Sequence, residues 1–132
     1  MQPVSHTLFS VARILVIDDD ADLRAILEQI LTLAGHKVIL AEDGKEGVKQ
    51  CRASTVNLVI TDLFMPNQEG LETIVELRKD FPQVAIIAMS GKIAAGTMLS
   101  IAQRLGAVMV LQKPFLPDQL LAAVEKALRM GS

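Results

Sequence analysis

Short apolar runs alternate along this chain with stripes of apolar residues spaced three and four apart, and the alternation starts at Arg13. Ile14 to Ile17 reads as a β-strand. Leu23, Ile26, Leu27, Ile30 and Leu31 then repeat at helical spacing, the core-facing stripe of an amphipathic helix that Gly35 ends. Lys37 to Ala41 predicts a second strand, Lys45 to Ala53 a second helix and Asn57 to Thr61 a third strand. Leu71, Ile74, Val75 and Arg78 belong to a third helix, which stops near Phe81-Pro82 because the residue before a proline disfavours the α region. Val84 to Met89 predicts the fourth strand, Ile93 to Leu105 the fourth helix and Ala107 to Leu111 the fifth strand. Pro117 to Leu128 is the last helix, with Pro117 suited to a first helical position.

Five strand and helix units with short connections imply an α/β fold, a parallel sheet with helices on both faces, because each right-handed crossover returns the chain to the same sheet. Residues 1–12 lack a clear period and read as a loosely held tail in which Val4, Leu8 and Phe9 are available for docking. The domain then spans 13–129, with a short C-terminal tail at 130–132.

Polar residues stand where the apolar runs stop: Asp18-Asp19 after the first strand, Asp62 after the third, Ser90 after the fourth and Lys113 after the fifth. In a parallel α/β sheet these strand ends lie side by side. Three carboxylates, a hydroxyl and an ammonium at one rim describe a magnesium and phosphoryl site. Capping accounts for Asp20, and the positive helix end for Asp22. Neither accounts for Asp18 and Asp19, adjacent carboxylates at the end of a buried strand that repel each other and raise their own pKa unless a cation neutralises them. A calcium loop does not fit, because no Gly stands at loop position 6 and Gln29 stands where a bidentate Glu belongs.

Composition narrows the classes. With 132 residues, 51% hydrophobic, 3% aromatic and no Trp or Tyr, the chain builds one core from Leu, Ile, Val, Ala and Met, which suits strands covered by helices. A net charge of -2 and a pI near 5.6 give no electrostatic reason for unaided nucleic-acid binding. Cys51 is the single cysteine, so neither an intrachain disulfide nor a cysteine zinc cage can form, and a reduced compartment is the natural setting. No apolar run approaches the roughly 18 residues of a membrane helix, and no secretory signal opens the chain, so a cytoplasmic protein is expected. His36, in a turn, and His6, in the tail, read as polar surface residues. A nucleotide binder, a phosphatase core and a signalling domain all remain compatible with the fold.

Asp62-x-x-Met65-Pro66-x-x-x-Gly70 after an apolar strand resembles the phosphoacceptor loop of response-regulator receiver domains in two-component signalling. Asp18-Asp19, Ser90 after Met89 and Lys113-Pro114-Phe115 follow in the expected order, so the resemblance spans Arg13 to about Leu128. It implies a flavodoxin-like, doubly wound sheet of strand order 2-1-3-4-5. It implies that Asp62 accepts a phosphoryl group from a phosphohistidine on a sensor histidine kinase or phosphotransfer protein, forming an acyl phosphate. Mg2+ would be held directly by Asp19, Asp62 and the Phe64 carbonyl, with Asp18 acting through a bound water. Lys113, before a cis proline bond that aims it at the acidic pocket, would stabilise the phosphoryl oxygens. Ser90 would turn toward the new phosphoryl group and draw its loop inward, changing a surface on the fourth helix and fifth strand that serves a homodimer or an output partner. Such a domain catalyses its own phosphorylation and dephosphorylation and is not an enzyme acting on a separate metabolite.

Two departures from the family pattern stand out. Val110 occupies the position, three before the lysine, where receivers often carry an aromatic residue that swings with the hydroxyl. Phe64 flanks the phosphoryl entrance, where its ring, with Lys92 opposite, would restrict the hydrolytic water; the plainer reading is that only its carbonyl matters. Leu99, off the stripe of Met98, Ile101, Ala102 and Leu105, would join Val110 in a dimer or partner surface; the plainer reading is a partly covered leucine. The rival from another class is a haloacid-dehalogenase-like phosphatase with Asp18 as nucleophile and Asp20 as acid, which gives no reason for Met65-Pro66 and Gly70. A pseudo-receiver that only scaffolds is disfavoured by the intact acceptor, metal and lysine positions. No output module follows Leu128, so the chain reads as a stand-alone regulator or a receiver cut from a larger protein.

Overall fold

Helices cover both faces of a single five-stranded parallel sheet, which is why its strands read as unbroken apolar runs. The computed structural model describes residues 11–63, 69–91 and 95–130. In chain order the elements are β1 (Arg13–Ile17), α1 (Ala21–Leu33), β2 (Lys37–Ala41), α2 (Gly44–Ala53), β3 (Leu58–Asp62), α3 (Glu69–Asp80), β4 (Ala85–Ser90), α4 (Ala95–Leu105), β5 (Met109–Gln112) and α5 (Pro117–Met130). Across the sheet the order is β2-β1-β3-β4-β5 with all neighbours parallel, the flavodoxin-like arrangement expected from the resemblance. The winding reverses between β1 and β3, and such a reversal opens a crevice at the carboxyl ends of the strands.

Side chains alternate along each strand and so supply two cores. Leu15, Ile17, Val59, Ile86 and Ala88 pack with Val48, Ile74, Leu77 and Ala102 from α2, α3 and α4. Ile14, Val16, Ile60, Ile87 and Met89 pack with Leu27, Leu31, Leu120 and Val124 from α1 and α5. Gly35 ends α1 as expected, with φ of 100°. The Gly35 N–H donates to the Thr32 carbonyl and the His36 N–H to the Leu31 carbonyl, a Schellman cap that needs a residue tolerant of positive φ.

Several sequence expectations are corrected. Ile26 is 52% exposed although its spacing put it in the core stripe of α1, and Ile101 is exposed on α4. The stripe that meets the sheet is narrower than the periodicity suggested. His36 is no surface residue. It is 9% exposed, its Nδ1 accepts the Ala12 N–H at 3.2 Å, and burial lowers its pKa while the charge of Glu125 opposes that shift. Ala12 is buried, and its carbonyl accepts the Lys37 N–H, which ties it to the start of β2. The strands also run further than the apolar runs, so Asp62 and Ser90 are the last residues of β3 and β4 and do not follow them. Residues 1–10, Phe64, Met65-Pro66, Lys92, Ile93, residues 131–132 and the side chains of Met98 and Leu99 lie outside the described residues.

Candidate functional site

The carboxyl ends of β1, β3, β4 and β5 form the rim that gathers the polar residues singled out in the sequence. Asp18 follows β1 directly, and its N–H extends the ladder to the Ala41 carbonyl at 3.1 Å. This holds the Asp18 side chain inside the crevice, wholly buried. Its Oδ1 accepts the Asp20 N–H at 2.9 Å, so the turn into α1 is built on the Asp18 carboxylate. Asp20 in turn caps α1, accepting from the Asp22 and Leu23 N–H groups, as expected.

Lys113 reaches across from the end of β5. Its Nζ lies 3.1 Å from Asp18 Oδ2 and 3.1 Å from Asp62 Oδ2, and the Lys113–Pro114 peptide bond is cis. Burial raises the Asp18 pKa, and the nearby Asp62 charge adds to that, while the Asp20 N–H and Lys113 act against it. The like charge acting on Asp18 is therefore that of Asp62, across the crevice, where the sequence pointed to Asp19. Burial pulls the Lys113 pKa down, but the charges of Asp62 and Asp18 and the hydrogen bonds to both outweigh it, and the ammonium is held above its ordinary value.

Asp19 is exposed at the mouth of the crevice, and Asp18, Asp19 and Asp62 each offer a carboxylate oxygen within 4.8 Å of the others. Three hard oxygen donors at this spacing, with solvent on one side, suit a small divalent cation that retains several waters. With one lysine against three carboxylates, the cluster carries excess negative charge that such a cation would neutralise. The residues therefore fit the metal expected from the sequence.

Ser90 is fully buried at the end of β4, and its hydroxyl donates to the Gly91 carbonyl at 3.2 Å. Main-chain bonds tie the rim together: the Leu63 N–H donates to the Met89 carbonyl at 2.9 Å and the Lys113 N–H to the Ser90 carbonyl at 2.7 Å. Val110 on β5 stands in register with Ala88 on β4 and packs against the core beneath α4. At Gly70 a Cβ would lie 2.5 Å from Leu63 Cα and 2.7 Å from the Asp62 carbonyl oxygen. Only a residue without a side chain lets α3 start this close to the end of β3, a physical reason for the glycine in the sequence pattern. Arg24 is a site neighbour the sequence did not reveal, because its partner is a main-chain oxygen: its Nη1 donates to the Asp18 carbonyl at 2.6 Å.

This combination defines a doubly wound α/β domain with an acidic, cation-compatible rim and one lysine bridging two buried aspartates. The chain belongs to the response regulator receiver domain family, whose sequence model matches residues 14–125. A probable transcriptional regulator ycf27 of Porphyridium aerugineum is 40% identical over 119 residues, covering 89% of this chain and 48% of that protein. The DNA-binding transcriptional regulator NtrC of Azospirillum brasilense is 37% identical, covering 93% of this chain and 25% of that protein. This chain thus spans half or less of these curated relatives. Among solved structures, a CheY-like response regulator receiver domain protein from Methanospirillum hungatei JF-1 superposes with a TM-score of 0.85 at 29% identity, covering 92% of this chain and 97% of that one. NtrX from Brucella abortus superposes with a TM-score of 0.86 at 31% identity, covering 92% of this chain and 28% of that one.

The dehalogenase-like alternative finds no support in these matches. The Asp18 carboxylate, its nucleophile, is buried with both oxygens already engaged by Asp20 and Lys113. Among the described residues no helix is long and apolar enough to cross a membrane.

Proposed function

We propose that this receiver domain accepts a phosphoryl group on Asp62 from a phosphohistidine of a sensor histidine kinase or phosphotransfer protein, and that the acyl phosphate changes a partner-binding surface at α4 and β5. The observation that carries the reading is Lys113 Nζ at 3.1 Å from both Asp18 and Asp62 beside the three-carboxylate cluster. An Asp62 carboxylate oxygen attacks the phosphorus, the P–N bond to the donor imidazole breaks, and the imidazole leaves neutral after taking up a proton. In the separate hydrolytic step, water attacks the phosphorus and gives up a proton to solvent, the bond to Asp62 breaks, and the carboxylate and inorganic phosphate are released. Lys113 releases its contact with Asp62 in favour of the incoming phosphoryl oxygens, offsetting their charge.

Asp19, Asp62 and the Phe64 carbonyl would hold Mg2+ directly and Asp18 through a water; bound there, the ion would neutralise charge on the transferring group. Ser90 would exchange its bond to the Gly91 carbonyl for one to the phosphoryl group, carrying the β4 end with it. Because Val110 replaces the usual aromatic, the change reaches β5 through the Ser90 to Lys113 main-chain link and α4 through packing alone. The reading takes 13–129 as the receiver and places it in the cytoplasm with its kinase, without direct nucleic-acid contact by this chain.

Incubation with a small phosphodonor and MgCl2, followed by intact-mass measurement, tests the chemistry. One phosphoryl addition that disappears in Asp62→Asn and in EDTA supports it; an addition that survives Asp62→Asn refutes it.

A further inference from the structure

Arg24 stands in the first turn of α1, where the helix dipole is positive and a cation is locally unfavourable. It is half-buried, with its guanidinium turned back toward the rim. The oxygen it meets, the Asp18 carbonyl, lies just beyond the end of β1, and among the described residues no main-chain N–H reaches that oxygen. Arg24 Nη1 does so at 2.6 Å.

The Asp18 carbonyl belongs to the rigid peptide plane that carries the Asp19 N–H. The rest of Asp18 is fixed independently: its N–H by Ala41, its Oδ1 by the Asp20 N–H and its Oδ2 by Lys113. Asp19 has no such support. It is exposed, and among the described residues no hydrogen bond or ion pair holds its carboxylate. Yet it offers the third oxygen of the cluster with Asp18 and Asp62. The direction in which Asp19 projects therefore depends on the peptide planes on either side of it, of which the Asp20 N–H bond to Asp18 Oδ1 holds the one after and the Arg24 side chain the one before.

We propose that Arg24 is a positioning residue for the divalent cation site: it touches neither the ion nor the phosphoryl group, and it holds the Asp18-Asp19 peptide so that the Asp19 carboxylate faces Asp62. The inference rests on the cation reading of the cluster. Position and charge make opposite predictions for this residue. A guanidinium near the site repels a divalent cation, so deleting a group that acts by charge alone would tighten Mg2+ binding. Deleting a group that acts by position weakens it.

The test uses the full chain labelled with 15N, because without Trp or Tyr indole and phenol fluorescence cannot report binding. MgCl2 is titrated while amide shifts are followed, for wild type, Arg24→Ala, Arg24→Lys and Asp19→Asn, with the melting temperature of each recorded in EDTA. Arg24→Ala is expected to raise the Mg2+ dissociation constant by about tenfold, the lower end of what loss of an outer-sphere partner costs. Arg24→Lys, which keeps one donor and the charge, recovers most of that. In the metal-free state, Arg24→Ala accelerates amide exchange at Asp19 and Asp20, and phosphorylation by a small phosphodonor returns to the wild-type rate once Mg2+ is saturating. An unchanged or lowered dissociation constant in a folded Arg24→Ala overturns the positioning role while leaving the cation site intact. Equal dissociation constants for wild type and Asp19→Asn overturn the cation site itself, and this inference with it.

Discussion

Replacing Lys113 by Met keeps the length of the side chain and removes its charge, leaving two buried carboxylates facing each other. At 3.1 Å each Lys113–Asp contact is worth about 5 kcal/mol of gross Coulomb energy at an effective dielectric of 20. Most of that is offset by the desolvation of three ions, and measured losses from deleting one partner of a buried pair run at about 3–5 kcal/mol. Lys113 keeps 24% of its side chain exposed, so the lower figure applies, about 3 kcal/mol. For a domain of this size that lowers the melting temperature by about 10 °C.

The loss should depend on divalent cation. In EDTA nothing replaces the ammonium. In MgCl2 the ion takes over its neutralising role, and because the repelling lysine is gone, the variant binds it more tightly than wild type does. At a Mg2+ concentration ten times the variant's dissociation constant the variant gains about 1.4 kcal/mol, and the wild type, which binds the ion more weakly, gains less, so part of the deficit is recovered. Urea unfolding of wild type and Lys113→Met, each in EDTA and in MgCl2, measures all four states. A loss below about 1 kcal/mol in EDTA, or a loss of equal size with and without MgCl2, refutes the electrostatic account of the rim.

Two further outcomes follow from neighbouring geometry. Gly70→Ala should destabilise by about 2 kcal/mol in urea unfolding, because its Cβ would collide with Leu63 Cα and the Asp62 carbonyl oxygen; an ordinary exposed helical glycine would instead gain about 1 kcal/mol, so the sign decides. His36 is buried with a lowered pKa and uses its unprotonated Nδ1 as an acceptor, so the unfolded chain binds the proton more readily. Stability should then be full above the unfolded value of about 6.5 and fall as pH drops below it, by at most about 1.4 kcal/mol per pH unit; thermal melts that show no difference in this slope between wild type and His36→Asn would rule it out.

The sheet was legible because its signal is redundant. With both faces covered, strands such as Leu58 to Ile60 and Ala85 to Met89 are apolar at every position, and the segments between them keep helical spacing. The apolar spacing overstates the core stripe at Ile26 and Ile101, because periodicity gives the direction of an apolar face and not its width. Asp62 and Ser90 read as following their strands because polarity marks the end of an apolar run, whereas the ladder continues through the pairs Asp62 with Met89 and Ser90 with Gln112. The acidic trio and Lys113 were legible because each stands at a strand end and the resemblance orders them. His36 and Arg24 were not, for one reason: each is held by a main-chain group remote from any side-chain pattern, the Ala12 N–H in one case and the Asp18 carbonyl in the other.

That asymmetry bears on where this fold carries its strain. Among the described residues, the buried polar side chains include Asp18, Thr61, Asp62 and Ser90, all at the carboxyl ends of the adjacent strands β1, β3 and β4. Elsewhere the strand interiors are apolar, and local propensity, pattern and packing agree. Concentrating charged and hydroxyl groups at one rim sets those levels against each other there, and a domain tolerates such conflict only where the surrounding core over-determines the backbone. The main-chain bonds from Leu63 to Met89 and from Lys113 to Ser90 supply that rigidity. On the proposed function, a cation or a phosphoryl group arriving at the rim would change the balance of a cluster already held together against its own repulsion, and the energy released would be available to move the β4 and β5 ends and not to assemble the site.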